Sequence, residues 1–336
     1  MKHSGLRRLD AFSHFSESQI ATLTGCGHRQ LLPAGETLYE VADTSAAVYA
    51  IAGGELRERL VTPFGEIELG RYDDGRLLGE IGFLGGHDRH AEAYASSAAQ
   101  VWVFPRVSLD PTLDRDRSFA QATYWALWRS LSHKLRRRNR SLQEFFLQTA
   151  SPTPRKTPVV TLSGRSELEV PVDLAARRKV LEEQPLSNLE VTFLASLSHA
   201  RRIDGGEMIF REGDAGDAMY VVLDGSVVIS KFLAGAGIEA LAVLGRGEIF
   251  GEMALIDHLP RSADAVAHEE GAIVLAVPPE VLQGLLDIEK FSSVRLLKIL
   301  CGLVARRLHA TDDKLFGWFM MTGGDLPEGT PPPVPW

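Results

Sequence analysis

The sequence predicts a mainly β protein with flanking helices (α+β), built as two tandem β-roll or jelly-roll domains, each followed by a long helix. Three observations lead there. First, the chain repeats itself: residues 38–54, LYEVADTSAAVYAIAGG, align with residues 209–225, IFREGDAGDAMYVVLDG, pairing Tyr49 with Tyr220 and Gly54 with Gly225. Residues 79–91, GEIGFLGGHDRHA, align likewise with residues 251–263, GEMALIDHLPRSA, with the offset between copies changed by a single residue. Second, each copy carries short runs rich in Val, Ile, Leu and Tyr between Gly/Asp turns. Residues 219–223 and 227–230 are examples, and this is the grain of a small antiparallel roll. Third, each copy is followed by a stretch whose apolar residues step alternately by four and three, as on a helix with one buried stripe.

The elements follow in order. The first domain is assigned to residues 1–148, a Pro-rich linker to 149–171, the second domain to 172–318 and a Pro-rich tail to 319–336. A helix opens each copy within FSESQIATL (15–23) and LSNLEVTFL (186–194), where Ser16 with Gln19 and Ser187 with Glu190 have capping-box spacing. Residues 172–184, VDLAARRKVLEEQ, read as a lead-in helix to the second copy. The stripe after the first copy is Tyr124, Trp128, Leu131, Leu135, Arg138, Leu142 and Phe145. That after the second is Leu297, Cys301, Val304, Leu308, Thr311, Leu315 and Trp318. The stripe spacing fits a helix packed on its own roll and equally a pairing between domains or chains, so a homodimer through helices 124–145 and 297–318 is one expectation. The linker TASPTPRKTPVV (149–160) and the tail TGGDLPEGTPPPVPW (322–336) lack periodicity and are expected to be extended or disordered.

Composition narrows the function. With 45% hydrophobic and 24% charged residues the chain has material for two cores, and a net charge of -8 disfavours a protein built to coat nucleic acid. The run HKLRRRNR (133–140) is therefore expected to be a helix face balanced by acids, with no specific DNA binding. Cys26 and Cys301 lie far apart, outside any metal-ligand spacing, and read as reduced thiols. No apolar run long enough for a membrane span occurs, and residues 1–15 lack a signal-peptide pattern, so a cytoplasmic location is the default expectation. No metal is expected, since His87 and His90 lack a third ligand. No catalytic signature appears, so the expectation is a binding protein rather than an enzyme, without a cofactor.

The segment GEMALIDHLPRSA carries the chemistry. Gly251 lets the backbone pass where a side chain would obstruct a ligand, and Glu252 offers two acceptor oxygens suited to a sugar hydroxyl. Met253 opens a short helical turn, and Ala254 and Ala263 are small enough for amides to face an anion closely. Arg261 supplies a full charge with parallel donors for a phosphate, with Ser262 beside it. Together they describe a pocket for a ribose joined to a phosphate.

This segment resembles the phosphate-binding cassette of cyclic-nucleotide-binding domains, the superfamily of the catabolite activator protein and the regulatory subunits of cAMP-dependent protein kinase. The resemblance covers residues 10–145 and 181–316, with neither a helix-turn-helix nor a catalytic domain visible. It implies a cAMP or cGMP ligand, with Glu252 on the ribose 2′-hydroxyl, Arg261 on the cyclic phosphate, and amides near Ala254, Ser262 and Ala263 on the remaining oxygen. Asp264 stands where family members often carry Thr or Ser; it is read as a solvated strand-start residue, or as an acceptor for a guanine edge. The first copy keeps the spacing of Gly79, Glu80, Ile81, Gly82, Arg89, His90 and Ala91, but with Gly82 for Ala254, Asp88 for Pro260, His90 for Ser262 and Glu92 for Asp264. Its arginine is flanked by acids, so it reads either as a second nucleotide site or as a structural copy. The implied function is a cyclic-nucleotide sensor or regulatory module acting on an effector protein or through self-assembly. The alternative is a dimerisation scaffold with relic pockets.

Overall fold

The computed structural model describes residues 5–85, 89–149, 168–233, 237–287 and 294–322. The linker core and most of the tail discussed above lie outside the described residues. Two compact units are present, residues 1–138 with 297–336, and residues 139–296.

In the first unit α1 (Glu17–Cys26) precedes β1 (His28–Leu32), β2 (Thr37–Tyr39), β3 (Ala47–Gly53), β4 (Leu56–Thr62), β5 (Gly65–Tyr72) and β6 (Leu77–Leu78). The short α2 (Glu80–Gly85) is followed by β7 (Glu92–Ala95), β8 (Ala99–Pro105), α3 (Arg106–Arg115) and α4 (Arg117–Thr149). The strands form two four-stranded sheets, ordered β1-β8-β3-β6 and β2-β7-β4-β5. Alternate residues of both sheets meet in a core that includes Leu32, Tyr49, Ile51, Leu56, Tyr72 and Val101.

The second unit repeats this plan. Its elements are β9 (Leu168–Glu169), α5 (Leu174–Glu182), α6 (Asn188–Leu197), β10 (His199–Ile203), β11 (Met208–Phe210) and β12 (Met219–Leu233). After them come β13 (Gly237–Leu244), β14 (Ile249–Phe250), α7 (Glu252–Asp257), β15 (Asp264–Val277) and α8 (Pro279–Leu286), and α9 (Val294–Met321) ends the described chain. The two strands expected at 219–223 and 227–230 are one continuous strand, β12, bent by register shifts at Asp224 and Gly225. Gly225 sits at φ +72° with no room for a side chain against the Gly271 carbonyl. The same backbone bend separates β3 from β4 at Gly54, φ +85°.

Both capping boxes form. Gln19 N donates to Ser16 Oγ over 3.2 Å while Ser16 N donates to Gln19 Oε1 over 2.8 Å. Glu190 N and Ser187 N exchange the same pair of bonds at 3.3 and 2.6 Å. The lead-in helix is observed as α5.

A smaller repeat concerns the turn before each roll's central strand. Gly213 at φ +90° and Ala42 at φ +64° occupy equivalent left-handed positions. Gly213 has open space around it, so Gly213→Ala adds backbone strain alone. It is expected to lower the stability of the second unit by about 1 kcal/mol in denaturant unfolding.

The buried stripes take a form the sequence left open. Tyr124, Trp128, Leu131, Leu135, Arg138 and Leu142 are buried, as are Leu297, Cys301, Val304, Leu308, Thr311 and Leu315. The side chain of Phe145 lies outside the described residues, and Trp318 is half-buried. Cys301 Sγ donates to the Tyr124 carbonyl over 3.3 Å, so the stripes meet inside one chain. Residues 297–321 of α9 belong to the unit of the first roll, not to the second as the sequence boundaries placed them. Of the basic run, Lys134, Arg138 and Asn139 are buried, while His133 and Arg140 are exposed.

Candidate functional site

The two cassettes are built alike. In the second unit Gly251, at φ +77°, turns the chain from β14 into α7; a Cβ there would stand 2.7 Å from Arg261 Nη1. That close approach explains the glycine. Arg261 is 3% exposed. Its Nη1 donates to the Gly251 carbonyl at 2.6 Å, and its Nη2 donates to the Ala218 carbonyl at 2.7 Å and to Asp217 Oδ1 at 2.9 Å. The guanidinium lies 4.2 Å from the ring centre of Phe210 and 5.8 Å from that of Tyr220. The backbone of Arg261 is fixed as well, its N–H donating to Asp214 O and its carbonyl accepting from Gly213 N, at 2.8 and 2.9 Å. What remains is Nε, a buried donor with no partner among the described residues. A charged donor in this state is costly unless an anion meets it.

Glu252, Met253, Ala254 and Ala263 are buried, Glu252 completely. Ala254 packs on Gly216, where a Cβ would come within 2.6 Å. Ser262 and Asp264 are half-buried. Asp264 opens β15 and its Oδ1 accepts from the backbone N–H of Glu212 at 2.7 Å. It thus tethers the neighbouring turn at a strand start. α7 has six residues, so the expected helical turn is present but too short to supply a developed dipole.

In the first unit Gly79, at φ +84°, has the same role: a Cβ would meet the Ala47 carbonyl at 2.6 Å and Arg89 Nη1 at 2.9 Å. Arg89 is 5% exposed and donates to Gly79 O at 2.7 Å and Ala47 O at 2.8 Å, over the rings of Tyr39 and Tyr49. Its Nε also has no partner among the described residues. Glu80 is 1% exposed, and here both oxygens are engaged, by Ser130 Oγ at 2.5 Å and Lys134 Nζ at 2.6 Å. Gly79, Glu80, Ile81, Gly82, Arg89, His90 and Ala91 all line one small cavity together with Tyr39, Glu58, Lys134, Leu308 and Asp312. His87 and Asp88 lie outside the described residues.

His90 stands where the second copy has Ser262. Its Nε2 is 2.8 Å from Asp312 Oδ2. Asp312 also pairs with Arg138, whose terminal nitrogen reaches Glu58 at 3.9 Å. Burial lowers the affinity of His90 for a proton, but the hydrogen bond and charge of Asp312, with Glu58 behind it, outweigh this and raise its pKa despite Arg138. Burial also raises the Glu58 carboxyl, yet Lys134, Arg138 and His90 hold it below its ordinary value. A histidine whose folded pKa is raised stabilises the fold fully below the unfolded value of about 6.5, and that contribution is lost as pH rises through the folded value. The His90 contribution is therefore expected to be lost as the pH rises from about 6.5 upward, whereas that of Glu58 is lost only at the acid end. His90→Gln should flatten that slope in thermal melts recorded across the range.

Several of these groups escaped the sequence reading: Asp217 and the Phe210/Tyr220 platform in the second roll, and Ser130, Lys134, Glu58 and Asp312 in the first. The signal for two of them was present. Ser130, Lys134 and Arg138 step by four, so they share one helix face.

Comparison with known proteins accords with this geometry. The family model for the cyclic nucleotide-binding domain matches residues 29–116 and 200–289, more than half of the chain. The chain is 24% identical over 281 residues to the cGMP-dependent protein kinase egl-4 of Caenorhabditis elegans, covering 83% of this chain and 29% of that protein. It is 35% identical over 130 residues to the cyclic AMP receptor protein of Thermus thermophilus, covering 38% of this chain and 56% of the relative. It is 32% identical over 147 residues to the Drosophila melanogaster cAMP-dependent protein kinase type II regulatory subunit, covering 41% of this chain and 36% of the relative. The chain thus spans well under two thirds of the length of each. With both copies of the fold matched and a cassette in each, the chain belongs to the cyclic nucleotide-binding domain family as a tandem member.

Proposed function

We propose that the second roll binds a cyclic nucleotide, cAMP or cGMP, and that the chain is a regulatory module whose output is an effector protein. The observation that carries this is Arg261: buried, fixed through both terminal nitrogens, and left with a free Nε donor beside the small residues of the cassette. In this reading Arg261 takes the cyclic phosphate, the buried carboxylate of Glu252 accepts from the ribose 2′-hydroxyl, and amides near Ala254, Ser262 and Ala263 complete the anion site. Glycine is required at 251 because a side chain would collide with the arginine head. The relatives named above are a kinase, a receptor protein and a kinase regulatory subunit, which supports regulation by a bound nucleotide as the role of these domains. Signalling requires that the ligand favour one arrangement of the chain over another. Because both helical stripes are covered within one chain, the output is expected to be a partner protein rather than self-assembly through those stripes. Calorimetric titration of the full chain with cAMP and with cGMP tests the reading. Saturable binding of one or both is expected, and no binding at high micromolar nucleotide would leave the scaffold alternative.

A further inference from the structure

In the first cassette the groups that would face a ligand are already met. Glu80, which would have to accept from a ribose hydroxyl, has both oxygens engaged by α4, through Ser130 and Lys134. His90, at the position of Ser262, is held by the carboxylate of Asp312. That carboxylate comes from α9, whose residues 297–321 are part of this unit, and it is 1% exposed with Arg138 on its other side. Leu308, one turn earlier, lines the same cavity, and the His309 ring centre lies 4.7 Å from that of His90. Two turns beyond Asp312, Phe319 is buried in a cluster with Leu60, Ile67, Leu69 and the cassette residue Ala91. The helix therefore grips the cassette at two points, one ionic and one apolar. The space left is about 20 Å³, room for a water but far below the several hundred Å³ of a nucleotide pocket.

We propose that the first roll is a dock for the chain's own last helix: the Asp312 carboxylate, held by His90 and Arg138, is the resident anion of that cassette, and the site takes no nucleotide while the helix is seated. Three carboxylates, Glu58, Glu80 and Asp312, face Lys134, Arg138 and His90, and Tyr39 and Tyr72 donate to Glu58 at 2.9 and 3.0 Å. Arg89 stands apart, held by the Gly79 and Ala47 carbonyls. Arg89 keeps one unpaired donor, Nε, as the residue of the duplicated anion site. The duplication has thus given two uses to one fold, a ligand cradle in the second roll and a helix clamp in the first. The dock stands independently of nucleotide binding by the second roll.

Two measurements on the full chain test it. Hydrogen exchange is followed across residues 300–319 in the parent chain, in Asp312→Asn, which keeps the shape and removes the charge, and in Arg306→Gln at an exposed position of the same helix. Exchange is expected to accelerate at least about tenfold in Asp312→Asn and to stay unchanged in Arg306→Gln. Equal exchange in all three would overturn the dock. In the second measurement the Arg261→Ala chain, with only the first cassette intact, is titrated with cAMP and cGMP. No binding beyond the weakened second-roll site is expected; saturable binding that disappears on adding Arg89→Ala would overturn the proposal. If the parent chain itself binds neither nucleotide, the reading of the second roll fails, while the exchange experiment still decides the dock.

Discussion

Arg261→Ala is expected to weaken cyclic-nucleotide binding by about 2–4 kcal/mol, roughly 30- to 1,000-fold in Kd, because it removes a buried charged donor from the phosphate. The side chain is well suited to show this cleanly. Its two terminal nitrogens are committed to Gly251 O, Ala218 O and Asp217, so the head is held in place before any ligand arrives. A preorganised donor has little entropy to lose on binding, and its deletion should appear mainly as faster dissociation. Some loss of stability should accompany it, since the Gly251 and Ala218 carbonyls lose their partner. Arg261→Lys should recover little, because one ammonium nitrogen lacks the planar fork by which Arg261 reaches the two carbonyls through separate nitrogens, with Nε as a further donor. Affinity within twofold of the parent in Arg261→Ala would move the phosphate site elsewhere.

The largest stability effect is expected from Lys134→Ala. Lys134 Nζ sits 2.6 Å from Glu80 Oε2, with both side chains almost completely buried. Removing the cation leaves a buried carboxylate with Ser130 as its remaining hydrogen-bond partner among the described residues, and the first unit should lose about 3–5 kcal/mol in denaturant unfolding. Replacing both members, Lys134→Met with Glu80→Gln, should restore much of that loss. The penalty arises from an orphaned charge, not from the missing contact itself. A single-variant loss below about 1 kcal/mol would contradict this account of the Lys134–Glu80 pair.

The cassettes were legible in the sequence because their chemistry is local. Gly251, Glu252 and Arg261 lie within one short segment, and its repetition as Gly79, Glu80 and Arg89 marked the residues that the fold then brought together. The capping boxes at Ser16 and Ser187 were legible for the same reason. The packing of α9 was not. Steps of four and three say that one face of a helix is buried but not which roll it is buried on. The residues that settle the matter are Leu308, Asp312 and Phe319, and an aspartate in the middle of a helix beside Asp313 has the pattern of a solvated face. Only the arrival of His90 and Arg138 from distant parts of the chain gives Asp312 its place. The basic run at 133–140 misled in the opposite direction. It reads as a surface, yet Lys134 and Arg138 turn inward because buried acids wait for them.

Duplication accounts for the pattern of what is kept and what is changed. Both rolls retain the glycine turn, the aromatic platform and the arginine bonded to two carbonyls, since these build the loop whatever it holds. The contrast lies in the position after the arginine, Ser262 in one copy and His90 in the other, and in the carboxylate that His90 receives.

The most direct measurement of this account is the stoichiometry of cyclic-nucleotide binding by the full chain, by calorimetry at protein concentrations well above Kd. One nucleotide per chain, with Kd raised roughly 30- to 1,000-fold by Arg261→Ala and unaltered by Arg89→Ala, is the predicted result. Two nucleotides per chain, or one whose Kd is unchanged in Arg261→Ala, would contradict it.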